Sequence, residues 1–211
     1  ELEAAAAAVS REKLDLARRS MGAAVAGLPN EAALREGAVF LIAGDINYDM
    51  AHRVPRPERS SGEMVRGSDL DIIIVTDDAL PDADVRSLDD AVHRQKHRLL
   101  MQPAAREEID YVLKPLARVR RQLAFDQFEH MVACKILCEC RLLCGEERLF
   151  DEVMRLVDAS GVRARLDALE AAARDKRAVA ERTLLDPAAT ASSGENPLHL
   201  FYTRDESDEI Y

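Results

Sequence analysis

The chain has 211 residues, of which 47% are hydrophobic and 32% are charged, and its formal net charge is -10. This length is enough for one good-sized domain, or for a small α/β domain with a helical extension. The negative charge disfavours nucleic acid as a partner, because phosphate contacts require a basic surface, although a local basic patch could still bind RNA. No run has the length of a transmembrane helix and no signal peptide pattern opens the chain, so we expect no membrane association.

The first 44 residues predict helices followed by one buried strand. Residues 1–28 are rich in alanine with interspersed apolar side chains, which favours one or two helices. Asn30 is a suitable N-cap for a short helix over residues 31–36. The run Ala38-Val39-Phe40-Leu41-Ile42-Ala43 is short and continuously apolar, and Gly44 closes it, which is typical of a buried strand.

Residues 45–66 have the least regular pattern of the chain and predict an inserted loop. Two interpretations stay open for this loop: a solvated, mobile connection, or a lid that neutralises a triphosphate, since guanidinium groups match phosphate oxygens. The second interpretation depends on the arginines of the loop, which are Arg53, Arg56, Arg59 and Arg66.

The most informative stretch is Gly67-Ser68-Asp69-Leu70-Asp71, which runs directly into the apolar sequence Ile72-Ile73-Ile74-Val75. Successive side chains of a strand point to opposite faces, so Asp69 and Asp71 share one face. Their Cβ atoms would lie roughly 6.6 Å apart along a strand. Two carboxylates held so close require a counter-charge, which a hard divalent cation supplies.

A second acidic strand is predicted at Glu108-Ile109-Asp110-Tyr111-Val112-Leu113. Ile109, Tyr111 and Leu113 alternate with Asp110 and Val112, so Asp110 shares a face with an apolar neighbour and would face a cleft. Between the two acidic strands, residues 85–101 predict an amphipathic helix, with apolar positions at Leu88, Val92, Leu99 and Leu100.

Residues 115–186 predict helices. One apolar stripe continues through Ile136, Leu137, Leu142 and Leu143 until Gly145. The helix predicted over residues 162–185 has a thin apolar face, which indicates contact with another subunit or a partner protein. Residues after Pro187 predict a linker and an acidic tail.

The four cysteines lie within eleven residues, at Cys134, Cys138, Cys140 and Cys144. On one helix they would point in two directions and could not close a zinc site, so we interpret them as core or groove thiols. This clustering is a poor disulfide framework and favours a reducing, cytoplasmic setting.

The sequence Gly-Ser-Asp-Leu-Asp before an apolar strand, with a third acid on a later strand, resembles the DNA polymerase β-like nucleotidyltransferase superfamily. The resemblance implies an α+β fold: a small mixed β-sheet core with flanking helices over residues 1–114, followed by a C-terminal helical bundle over 115–186 and a linker and tail over 187–211. It departs from the family at Asp45, which stands where the first strand's glycine motif has a serine or glycine.

The resemblance further implies transfer of a nucleoside monophosphate from ATP or another NTP to a hydroxyl acceptor, with two Mg²⁺ ions and release of pyrophosphate. The acceptor would be a small molecule, a protein or an RNA 3′ end, with RNA ranked last because of the acidic charge. The implied catalytic and metal-binding residues are Asp69, Asp71 and Asp110, and the implied nucleotide-binding residues are Gly44, Gly67 and Ser68.

Two other functions are compatible with the same residues. A catalytically degenerate member of the same fold, acting as a binding or regulatory protein, is favoured by Asp45 and the acidic tail. A glycosyltransferase also holds a metal with an Asp-x-Asp pair, but it needs a larger nucleotide-binding domain before the pair than the roughly 68 residues present here. We therefore expect a nucleotidyltransferase first and a degenerate relative second.

Overall fold

The structure, a computed structural model, describes residues 1–58 and 61–185. Arg59, the predicted linker and the predicted acidic tail lie outside the described residues. The chain divides into two compact units, Glu1–Val162 and Arg163–Tyr211. The class is mixed α+β, which agrees with the expected fold class.

The described residues form eight helices and six strands. The helices are α1 Leu2–Val25, α2 Glu31–Gly37, α3 Gly44–Asn47, α4 Asp82–Met101, α5 Leu116–Gln122, α6 Phe128–Glu139, α7 Glu147–Ser160 and α8 Val162–Leu185. The strands are β1 Ala38–Ile42, β2 Pro55–Pro57, β3 Met64–Arg66, β4 Leu70–Thr76, β5 Ile109–Pro115 and β6 Arg141–Gly145. None of the described helices combines the length and the apolar character that crossing a membrane requires.

Four of these strands form one small mixed sheet in the order β5-β4-β1-β6. Strand β1 runs antiparallel to both of its neighbours, whereas β4 and β5 are parallel. Parallel neighbours need a crossover connection, and α4 provides it between β4 and β5. The two acidic strands predicted from the sequence are therefore adjacent and point the same way.

One face of this sheet packs on α1 and α4 and forms the hydrophobic core. Alternate residues of β4 and β5 point into this core, namely Leu70, Ile72 and Ile74 with Ile109, Tyr111 and Leu113. The predicted apolar face of α4 is confirmed, because Leu88, Val92, Leu99 and Leu100 are all buried. By alternation, Asp71 and Asp110 point to the other face.

The predicted helix through Leu142 and Leu143 is wrong at its C-terminal end. Helix α6 ends at Glu139, and Arg141–Gly145 form β6, which pairs with β1. Leucine suits helices and strands alike in a short apolar run, so pairing with a free sheet edge decided the conformation. The expectation that all four cysteines lie on one helix is wrong for the same reason, since Cys144 lies in β6.

Residues 45–66, predicted as an irregular loop, contain two short elements. Helix α3 follows β1 directly, and β2 and β3 pair as an antiparallel hairpin. This hairpin brings Arg56 close to the residues that precede β4.

Candidate functional site

Asp71 and Asp110 are direct neighbours across the parallel strands β4 and β5. The register pairs Asp71 with Asp110, Leu70 with Ile109 and Ile73 with Val112. Neighbouring strands lie about 5 Å apart, so the two carboxylates extend side by side from the same face of the sheet. Both line a cavity of about 220 Å³ that lies between this face and Ile136 of α6.

Asp69 lies immediately before β4 and is engaged by Arg56 of the β2–β3 hairpin. Arg56 Nη2 is 3.2 Å from Asp69 Oδ2, and its Nη1 is 2.8 Å from Glu108 Oε2. The same side chain donates through Nε to the carbonyl oxygen of Gly67 at 2.9 Å. One guanidinium thus pairs with two carboxylates at the start of the two acidic strands.

Gly44 lies against the Asp71 side chain and requires the absence of a Cβ atom. Its φ is +65°, a left-handed conformation that glycine adopts without strain. A Cβ atom at this position would lie 1.9 Å from Asp71 Oδ2. The backbone after β1 therefore approaches the Asp71 carboxylate more closely than a residue with a side chain would permit.

The turn at Gly67 and Ser68 is fixed by two partners from distant parts of the chain. Lys13 of α1 is 3% exposed, and its Nζ donates to the carbonyl oxygens of Arg66 at 2.9 Å and Ser68 at 2.7 Å. Lys13 also forms an ion pair with Glu107. On the other side, Ser68 N donates to His52 O at 3.1 Å, and a Cβ atom on Gly67 would collide with that carbonyl.

The Ser68 hydroxyl is committed to Asp45. Ser68 Oγ donates to Asp45 Oδ2 at 2.7 Å and accepts from His52 N at 3.2 Å, and the side chain is buried. Asp45, which departs from the family pattern, therefore accepts a hydrogen bond from Ser68 of the Gly-Ser-Asp-Leu-Asp stretch.

The carboxylates of this site are close enough to change the titration of Asp71. Burial raises the pKa of Asp71 to about 6, and the negative charges of Asp69, Asp110, Asp45 and Glu108 contribute in that order. A neighbouring anion disfavours the charged form of a carboxyl group. The site therefore has an excess of negative charge that Arg56 only partly offsets.

The structure brings together Asp71, Asp110 and Gly44, and it places Asp69, Gly67 and Ser68 in the turn that leads into β4. Sequence reasoning did not identify Lys13 as a residue that supports this turn, because a single lysine in a helix gives no signal of its distant contacts. It also passed over Lys114, although the alternation of β5 places Lys114 on the same face as Asp110 and Val112.

Carboxylate oxygens are the ligands that magnesium takes in proteins, so the donor chemistry of Asp69, Asp71 and Asp110 fits a hard divalent cation. Within residues 1–58 and 61–185, no three His, Cys, Asp or Glu side chains already stand in a metal-binding arrangement. Asp69 is paired with Arg56 and would have to exchange that partner to join Asp71 and Asp110.

Comparison of the chain with models of protein families, with curated proteins and with solved structures found no match.

Proposed function

We propose that the chain is a nucleotidyltransferase resembling the DNA polymerase β-like superfamily, which transfers a nucleoside monophosphate from ATP or another NTP to a hydroxyl acceptor and releases pyrophosphate. The observation that supports this proposal best is the register of Asp71 with Asp110 on adjacent parallel strands, with Asp69 two residues before Asp71. Convergent carboxylates on one sheet face suit two magnesium ions and a phosphate chain. The acceptor in this proposal is a small molecule or a protein.

Asp69 and Asp71 would bind both magnesium ions. Asp110 would complete the ligands of the second ion and accept the proton of the attacking hydroxyl. Bound magnesium would supply charge neutralisation for the triphosphate and lower the pKa of that hydroxyl. The protein's part is mainly positioning. In this proposal the backbone amides of Gly44 and Gly67 would contact the phosphates; Asp71 beside Gly44 and His52 beside Gly67 leave no room for a side chain at either position.

Arg56 has a role in this proposal beyond the ion pairs that it forms. When a cation binds Asp69, the attraction that keeps the guanidinium on that carboxylate is reduced. The planar group is then available for phosphate oxygens, which it can contact through two parallel N–H bonds. Arg56 would thus exchange an acid for a phosphate as substrate and metal arrive.

Incubation with each labelled NTP and magnesium, with and without cell lysate, tests this function. Asp71→Ala and Asp110→Ala should each lose transfer with an unchanged circular dichroism spectrum. Asp77→Ala is a matched control, because Asp77 follows the same strand and its side chain accepts a hydrogen bond from Ala79 N in a turn. Normal transfer by the Asp71→Ala protein would refute the proposal.

A degenerate relative that binds a partner without catalysis is the second candidate. Two contacts favour it: Arg56 already pairs with Asp69, and Asp45 occupies the Ser68 hydroxyl. Isothermal titration with ATP separates the two candidates. The enzyme should bind ATP much more tightly with magnesium than with EDTA, whereas the degenerate protein should show no metal-dependent binding.

A further inference from the structure

A second cavity, of about 360 Å³, lies beside the carboxylates on the same face of the sheet. Its walls are mostly apolar: Ile73 and Val112 come from the strands, and Phe128, Val132 and Ile136 come from α6. Lys114, Gln122 and Glu129 are the polar residues of the lining. Phe128, Val132 and Ile136 are unusually exposed for such large apolar side chains, at 52%, 41% and 37%. This volume is at the lower end of the range for small-molecule sites, which are typically concave and mostly apolar with a few polar groups.

Lys114 is the cationic residue that lines this cavity. It is only 3% exposed, and its Nζ donates to Gln122 Oε1 at 2.8 Å. An ammonium group has three N–H donors, so this bond leaves two of them for another acceptor. In the described part of the chain Lys114 has no carboxylate partner, and burial lowers its pKa to about 8. A buried cation without an anion is costly unless a ligand compensates it.

The apolar cavity adjoins the carboxylate site. Ile73, Val112 and Ile136 line both cavities. Asp110 and Lys114 lie on one face of β5, four residues apart, so their Cα atoms are about 13 Å from each other. A ligand that lies along Val112 would therefore have one end at a cation and the other at the carboxylates.

We propose that this cavity binds a small amphipathic acid, with its apolar body between Val112 and α6 and its carboxylate on Lys114. The identification of this ligand as the acceptor rests on the nucleotidyltransferase function proposed above. In that case the ligand carries a hydroxyl group at its far end, beside Asp110. The hydroxyl oxygen then forms a bond to the α-phosphorus of the NTP, the bond from that phosphorus to the β-bridging oxygen breaks, pyrophosphate leaves, and the hydroxyl proton passes to Asp110.

Isothermal titration of the full chain with octanoate and with octanol tests the cavity, because the two probes share an apolar body and differ in charge. Octanoate should bind the wild type, and Lys114→Met should weaken it about tenfold or more, the scale of a charge-assisted hydrogen bond, while octanol binding changes little. Lys135→Met is the matched control, since Lys135 is an exposed residue of α6 in an ion pair with Glu139.

Val132→Glu provides a second variant, because Val132 is exposed at the cavity wall and its replacement leaves the core intact. The added negative charge should weaken octanoate more than octanol. No octanoate binding to the folded wild type, or equal octanoate affinity in the wild type and in Val132→Glu or folded Lys114→Met, would overturn the proposal.

The acceptor assignment is tested separately, with ω-hydroxydecanoate, ATP and magnesium, and mass spectrometry of the product. An adenylated product that decanoate does not yield supports the assignment. Octanoate binding without transfer to any acceptor would refute the enzyme function and leave the cavity proposal standing. Transfer to an acceptor that octanoate does not displace would refute the assignment and leave the enzyme function standing.

Discussion

In metal-free buffer, replacing Asp71 by asparagine should make the protein more stable at neutral pH. Asparagine keeps the size and shape of the side chain and removes its negative charge. In the wild type this charge is partly buried and lies beside Asp69 and Asp110. Holding it there costs folding free energy, which the substitution removes.

The magnitude follows from the pKa of Asp71, which is about 6 in the folded protein and 3.8 in a free chain. Each unit corresponds to about 1.4 kcal/mol, so the difference sets an upper bound of about 3 kcal/mol. Solvent screens this partly exposed site, and we expect a gain of about 1–2 kcal/mol in the free energy of unfolding.

The gain should depend on pH in one direction. The folded state binds the Asp71 proton more tightly than the unfolded state, so the contribution of Asp71 to wild-type stability falls as the pH rises from 3.8 to about 6 and then levels off. The Asp71→Asn protein should lack this fall. The two proteins should therefore be equally stable below the lower pKa and differ most above the higher one.

Urea unfolding in EDTA, followed by circular dichroism across this pH range, measures the difference. Asp77→Asn is the control, because it removes the charge of an acid in the turn after β4 whose side chain accepts a hydrogen bond from Ala79 N. It should not stabilise the protein. A pH-independent difference, or a less stable Asp71→Asn protein at neutral pH, would refute the electrostatic account of the site.

Three further results are expected. Gly44→Ala should cost more stability than Gly62→Ala in urea unfolding. Both glycines have a positive φ, which costs about 1–3 kcal/mol when the residue has a side chain, but only a side chain at position 44 would collide with Asp71. Equal costs would contradict that contact. Lys13→Met should destabilise the protein by about 3 kcal/mol in the same assay, since the partly buried Glu107 loses its cation. A cost below about 1 kcal/mol, the scale of a surface pair, would show that the pair is solvated. Relative to Lys114→Met, the wild type should gain stability above pH 8 as Lys114 loses its proton; a difference between the two proteins that does not change with pH would contradict this assignment.

The core of the fold could be predicted from local patterns. The alternation in β5 and the continuous apolar run of β4 identified both acidic strands, and the helical spacing of Leu88 and Val92 identified the buried face of α4. These elements are long enough for the period of their apolar residues to be unambiguous. The adjacency of β4 and β5 also follows from the helix between them, which suits a parallel crossover.

What could not be predicted depends on contacts between distant residues. Strand β6 has only five residues, and its leucines continue the spacing of the preceding helix, so only its pairing with β1 distinguishes it. The contact of Lys13 with the carbonyl of Ser68 spans 55 residues. The ion pair of Arg56 with Asp69 required the β2–β3 hairpin, whose strands have three residues each.

The position of β6 has a practical consequence for expressing shorter versions of the chain. Strand β1 donates and accepts backbone hydrogen bonds on both sides, and the partner on one side is contributed by Arg141–Gly145. A fragment cut after residue 114 would keep all three acids but present β1 as an open edge, which can pair with the same edge of another copy. Soluble protein for the assays above should therefore be sought in chains that extend beyond Gly145.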